Sequence, residues 1–179
     1  MGDLRITGGK YVRRRIKVPK GEIRPAMDRM RISVFAVLGD LTGRSFLDLY
    51  SGSGVIGIEA ASRGAAPVVL VERDPGKRAT ILANIAFVET PMRLVVMAAE
   101  RFVAETAGQF DTVFLDPPFR LEGKEALIRL IETRGLLCEG GLLLIHHPEE
   151  ESLPEEIGRL RCIDRRRYGR SIVLFYRRE

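Results

Sequence analysis

The sequence is short of cysteine and histidine and has no long apolar run. Its two cysteines, Cys138 and Cys162, lack the paired spacing of a zinc site and are too few for a disulfide framework. They read as buried free thiols in a reducing compartment. Histidine is confined to the adjacent pair His146 and His147, which face opposite sides if they lie on a strand. Neither pairs with a nucleophile motif, and no metal site is expected. No apolar stretch approaches the roughly 20 residues of a membrane span. The start, MGDLRITGGKYVRRR, has no apolar h-region. These absences argue for a cytoplasmic protein with no membrane partner.

What is present fits one globular domain with a small appendage. A chain of 179 residues, 45% hydrophobic and 30% charged, has the composition of an ordinary soluble protein. It is long enough to bury roughly 70% of its unfolded surface. The net charge of +5 is uneven. The stretch up to Phe35 carries Arg5, Lys10, Arg13, Arg14, Arg15, Lys17, Lys20, Arg24, Arg29 and Arg31 against three acids. The tail from Ile157 carries eight arginines against two acids, so the middle is acidic on balance. Two basic ends predict a polyanionic partner. Lys10, Arg13, Arg14, Arg15, Arg24, Arg29 and Arg31 are the candidate nucleic-acid contacts. Residues 1–26 read as a basic arm or hairpin and 27–179 as the main domain, expected to act as a monomer.

From Met27, apolar residues recur at Met30, Val34, Val37, Leu38 and Leu41, a helical spacing. A regular alternation then begins. Strands are predicted over 45–50, 68–72, 93–97, 111–115 and 142–146. Helices are predicted over 55–63, 75–87, 100–106 and 124–134. Strands alternating with helices build a parallel sheet covered on both faces. The last segments, 161–167 and 171–176, read as a hairpin at an antiparallel edge.

The most informative stretch is Asp111–Phe119, DTVFLDPPF. A buried strand ends in an acid, two prolines and an aromatic. That set suits a planar substrate with an exocyclic amine. Asp116 can accept one N–H and the Pro117 carbonyl the other. Pro117 and Pro118 fix φ and carry no competing N–H. Phe119 offers a flat face for a base.

The second motif is FLDLYSGSGVIG. Tyr50 and Ser51 lead into Gly52, Gly54 and Gly57, which satisfy the G-x-G-x-x-G pattern of a loop that a ligand approaches closely. Two carboxylates narrow its meaning. Asp48, just before the glycines, would repel a pyrophosphate but can pair with a cationic amino group, directly or through water. Glu72 ends the next strand, 18 residues after Gly54, where a carboxylate can accept both ribose hydroxyls. Together they favour S-adenosylmethionine over a nicotinamide cofactor. The lack of a paired Tyr–Lys acid also speaks against an oxidoreductase.

With these motifs in hand, the chain resembles class I S-adenosylmethionine-dependent methyltransferases. The arm RITGGKYVRRRIKVP, the segment IRPAMDRMRISVF and the tail RRRYGRSIVLFYRR are similar to the RsmD-type 16S rRNA guanine-N2 methyltransferases. That resemblance implies a Rossmann-like, mostly parallel seven-stranded sheet with an antiparallel C-terminal edge, plus an N-terminal β arm. It implies S-adenosylmethionine as donor and a guanine of small-subunit ribosomal RNA as acceptor. Some positions depart from the family. Ala26 and Ile32 replace its usual Thr and Glu, and Arg13 replaces a Gly of the arm. Ala98-Ala99 stands where the family has Asp or Asn before Ala, which moves adenine recognition to the backbone at Ala99 or to Glu100. Two other readings use the same residues: an adenine-N6 methyltransferase on RNA or DNA, and a non-catalytic RNA-binding assembly factor.

Overall fold

A computed structural model of the chain describes residues 4–20 and 28–179. It falls into two compact units, Met1–Met97 and Ala98–Glu179. Among the described residues no helix is long and apolar enough to cross a membrane.

The first unit opens with a short hairpin. β1 (Leu4–Arg5) and β2 (Arg15–Ile16) pair antiparallel, Leu4 opposite Ile16. Leu4, Ile6, Tyr11 and Ile16 turn inward and are buried. The arm seats on the end of a helix through glycine. A Cβ on Gly9 would collide with the Ser62 carbonyl, and the Lys10 N–H donates to that oxygen at 2.7 Å. α1 (Asp28–Leu38) buries Met30, Val34 and Phe35. Then come β3 (Phe46–Leu49), α2 (Val55–Ser62), β4 (Val68–Glu72), α3 (Arg78–Ile85) and β5 (Met92–Val96). The three strands lie parallel in the order β5-β4-β3. β3 and α2 are buried at every residue, the carboxylates of Asp48 and Glu59 included. The helix predicted over 75–87 is split. Asp74 accepts the Gly76 N–H at 2.8 Å and fixes a 3-10 turn, Pro75–Lys77, before α3 begins.

The second unit holds α4 (Ala99–Glu105), β6 (Phe110–Leu115), α5 (Lys124–Thr133), β7 (Leu137–Pro148), β8 (Glu156–Ile157), β9 (Leu160–Tyr168) and β10 (Ser171–Arg178). The strand order is β6-β7-β10-β9-β8. β6 and β7 are parallel, and the rest pair antiparallel, so the C-terminal hairpin is where the sequence put it. β7 is longer than predicted. Gly140 and Gly141 bend it rather than end it, and the register against β6 shifts between Phe110 and Thr112. A Cβ on Gly141 would come within 2.8 Å of the Cys138 carbonyl. The fold is α/β, with mostly parallel strands and an antiparallel C-terminal edge. Beyond the arm hairpin, the first unit holds three strands and the second five; the two-residue β8 is the one beyond the seven expected.

Candidate active site

In the first unit, β3 delivers the chain to the glycine turn. Tyr50 leaves the strand with φ 61°, a left-handed conformation that costs a non-glycine residue about 1 kcal/mol. Gly52 (φ 58°) and Gly54 (φ 82°) follow in the same region. A Cβ on Gly52 would meet nothing within 4 Å, so the backbone there is open to a ligand. Gly57 serves packing instead, since a Cβ there would drive into Leu70; its absence lets α2 lie directly on β4.

Two buried carboxylates hold this turn. Glu72 Oε2 accepts the Gly52 N–H at 3.0 Å, and Oε1 accepts the Asp74 N–H at 2.9 Å. A carboxylate has about four acceptor positions, so Glu72 keeps capacity for hydroxyl donors. Asp48 is 1% exposed and accepts the Gly57 N–H at 3.1 Å. Its burial leaves its charge, rather than an open face, to act on a ligand. Ser51 Oγ is buried with no hydrogen-bond partner among the described residues. An orphaned hydroxyl at a glycine turn is a group that a polar ligand completes. Asn84 of α3, unmarked by the sequence reading, donates to Ser53 O at 2.9 Å and to Lys17 O at 2.8 Å and accepts the Lys17 N–H. It ties the arm to the glycine turn. An amide inside the apolar helix ILANI was the signal.

In the second unit, β6 buries Val113, Phe114 and Leu115 completely and ends at Asp116, whose side chain is 24% exposed. Pro117 is buried, Pro118 exposed and Phe119 half-buried. The structure adds a partner that sequence reasoning missed. His146 Nδ1 lies 2.9 Å from Asp116 Oδ1, and its Nε2 lies 2.7 Å from Ser171 Oγ. The Phe119 ring meets the imidazole edge to face, with centroids 5.2 Å apart. The signal was the strand register: Leu115 pairs with Ile145, so the next residues, Asp116 and His146, come side by side. Below the turn, the buried Lys124 ammonium donates to Phe119 O at 3.1 Å and Leu121 O at 2.6 Å, and pairs with Glu151 at 2.6 Å. It fixes the backbone just after Pro118. His147 faces the other way, as alternation requires. It is 1% exposed, its Nδ1 donates to Pro148 O, and burial pushes its pKa down. Ala99, the first residue of α4, is 3% exposed, so it offers a ligand backbone rather than side chain. Glu100 beside it is exposed.

The basic residues divide. Lys10 is exposed and pairs with Glu89 at 2.5 Å. Arg13, Arg14, Arg15 and Arg29 are exposed, with the Arg14 guanidinium 5.0 Å from the centre of the Phe87 ring. Arg24 lies outside the described residues. Arg31 corrects the sequence reading. It is fully buried: its Nε meets Glu59 at 3.0 Å, and its Nη2 meets Asp28 and the Arg5 carbonyl. It sits three and four residues before Val34 and Phe35, on the core side of α1, so it organises the unit instead of gripping a phosphate.

Comparison with known proteins gives a consistent result. The family described as "Conserved hypothetical protein 95" matches residues 4–177. "Putative rRNA methyltransferase YlbH" of Bacillus subtilis is 33% identical, over 98% of this chain and 99% of that protein. "Ribosomal RNA small subunit methyltransferase D" of Escherichia coli K12 is 35% identical, over 86% of this chain and 79% of that protein. A solved structure, "Putative methyltransferase yhhF from Escherichia coli", superposes with a TM-score of 0.90 at 33% identity and covers 99% of both chains. The chain therefore belongs to the "Conserved hypothetical protein 95" family, the RsmD-type methyltransferases that its arm, glycine turn and DPPF motif resemble.

Proposed function

We propose that the protein transfers a methyl group from S-adenosylmethionine to the exocyclic N2 of a guanine in 16S ribosomal RNA. The observation that carries this reading is Asp116. Its Oδ1 is held by His146, Oδ2 accepts no hydrogen bond among the described residues, and two residues without an N–H follow it. The relatives named as small-subunit ribosomal RNA methyltransferases support the choice of RNA.

The residues of the glycine turn suit this donor. Glu72 would take the ribose hydroxyls, Ser51 and the Gly52 backbone the polar groups beside them, and Asp48 would favour the cationic end. Tyr50 and Gly54 shape the turn, and the backbone at Ala99 or Glu100 would meet the adenine. When bound, S-adenosylmethionine supplies a sulfonium methyl whose bond to sulfur breaks, leaving its electron pair on sulfur, as the new N–C bond forms. Asp116 and the Pro117 carbonyl each accept an N–H of the guanine amine, which orients the nitrogen lone pair for attack. The displaced N2 proton passes to the free Asp116 oxygen and on to water. Asp116 need not be a strong base, since the proton leaves after the nitrogen has become electron-poor. Phe119 supports the base, and Pro117 and Pro118 hold the turn rigid.

An amine in a stacked helix is out of reach, so the acceptor base must be unpaired or flipped. Lys10, Arg13, Arg14, Arg15 and Arg29, with Arg24, would hold the RNA backbone. The arm of residues 1–26 is then the RNA grip and 27–179 the catalytic part, working as a cytoplasmic monomer on the small ribosomal subunit or its RNA. The test is methyl transfer from labelled S-adenosylmethionine to small-subunit RNA from cells lacking this protein. Digestion should release labelled N2-methylguanosine. Labelled N6-methyladenosine would move the acceptor to adenine, and absence of label together with absence of donor binding would end the enzymatic reading. Asp116→Ala should abolish turnover while donor binding persists.

A further inference from the structure

The proposed reaction leaves the orientation of Asp116 unexplained. A carboxylate on a turn rotates freely unless something holds one oxygen, and an unheld carboxylate presents the amine with a blurred acceptor. The holder is His146. It lies on β7 with its ring 12% exposed and reaches Asp116 through Nδ1 and Ser171 through Nε2. Ser171 begins β10 and is itself buried, and its hydroxyl also reaches the Tyr168 carbonyl at 3.0 Å. Phe119 closes the ring from the side. Three elements and an aromatic edge thus fix one imidazole.

The proton placement follows from the partners. A carboxylate only accepts, so Nδ1 carries a proton and donates to Asp116. Ser171 has one proton and two lone pairs. It can give that proton to a bare Nε2, or turn it to Tyr168 O and accept from a protonated Nε2. The serine therefore serves either charge state of the ring, and the bond from Nδ1 to Asp116 survives both.

We propose that His146 is the positioning residue of methyl transfer: it anchors Asp116 Oδ1 through Nδ1, so that Oδ2 alone faces the acceptor amine. This rests on the proposed reaction and names the residue that orients its acceptor. His146 touches neither donor nor acceptor in this role; it acts through Asp116.

Two near-isosteric substitutions separate positioning from packing. An asparagine amide nitrogen occupies the place of Nδ1, and a glutamine amide nitrogen that of Nε2. His146→Asn keeps the donor to Asp116 and loses Ser171, whereas His146→Gln does the reverse. In single-turnover assays with saturating donor and RNA, His146→Gln and His146→Ala should lose about 10²-fold in rate, the scale of a misplaced catalytic group. His146→Asn should remain within about tenfold of wild type, and donor Kd and RNA KM should not move. Equal losses for the Asn and Gln variants, or a wild-type rate for His146→Ala, would overturn the proposal. A readout free of activity uses nitrogen NMR of labelled histidine. A proton on His146 Nδ1 is expected, and its signal should change in Asp116→Ala. A bare Nδ1 in the wild type would also overturn it. Should the wild-type protein methylate no RNA, the reaction reading fails, while the NMR result still decides whether His146 holds Asp116.

Discussion

Arg31 and Glu59, 28 residues apart in the chain, form an ion pair at 3.0 Å with both side chains fully buried. Glu59 also accepts the Thr7 N–H at 2.9 Å and the Thr7 hydroxyl at 3.0 Å, and it pairs with Arg63 at 2.5 Å. One carboxylate of α2 therefore gathers the arm, α1 and the end of its own helix. Deleting Arg31 leaves Glu59 with Arg63 as its remaining ion-pair partner among the described residues, so the cost is about 3 kcal/mol, the low end for breaking a buried pair. Arg31→Met should lose that much in urea unfolding. Arg29→Ala, on the exposed side of the same helix, should change stability by less than about 0.5 kcal/mol and act on RNA affinity instead. An Arg31→Met protein within about 1 kcal/mol of wild type would show that the pair is not the keystone of the arm.

Arg13 has φ 69°, a left-handed backbone on a long side chain. The family resemblance places glycine here, and the geometry explains why: only glycine adopts that region at no steric cost. Arg13→Gly should raise stability by up to about 1 kcal/mol, the strain relieved less the entropy that glycine adds to the unfolded chain. It should also flatten the log–log salt dependence of RNA binding by roughly 0.7–0.9, the share of one phosphate contact. Arg13→Ala should flatten the slope equally with no gain in stability. An unchanged slope in both variants would remove Arg13 from the RNA contacts.

The alternation of strand and helix was legible because the inner strands are short, mostly apolar runs, and the DPPF and glycine motifs stand at their carboxyl ends. What escaped needed partners distant in sequence. Asp116 and His146 meet only through the register of two parallel strands, which composition does not encode. Arg31 read as surface because a charge is normally solvated; its spacing from Val34 and Phe35 was the clue to the core. The strand predicted over 142–146 begins just after Gly140-Gly141, yet β6 pairs with β7 at Leu137 and again from Leu142, which carries β7 through the glycines as a bend. Asn84 carries no sequence motif, and its three bonds to Lys17 and Ser53 appear only once arm and turn are folded.

His147 makes stability pH-dependent. Burial lowers its folded-state pKa, outweighing the Pro148 carbonyl and the Glu151 charge, which raise it. The unfolded chain therefore takes up the proton first as pH falls below the ordinary value of about 6.5. The stabilising contribution is complete above that pH and is lost as pH falls through the folded value. Unfolding free energies at about pH 7.5 and about pH 5.5, either side of that ordinary value, should show wild type losing more stability than His147→Asn. Parallel losses in the two proteins would mean that His147 does not supply the acid sensitivity.

Glu72 holds the glycine turn where the proposed donor's ribose would sit. It ends β4 at 5% exposure and holds Gly52 with one oxygen and Asp74 with the other. Glu72→Gln replaces one acceptor oxygen by a donor, so one of these N–H groups loses its partner and faces a second hydrogen. The loss should destabilise the ligand-free protein by about 1 kcal/mol. The ribose hydroxyls lose an acceptor as well, so donor affinity should fall at least tenfold, about 1.4 kcal/mol. The two effects separate by titration calorimetry with S-adenosylmethionine alongside ligand-free unfolding. RNA affinity, which the proposal assigns to the exposed basic residues, should stay at the wild-type value. A variant that is less stable yet binds donor normally would restrict Glu72 to holding the turn, and the ribose contact would have to come from another group.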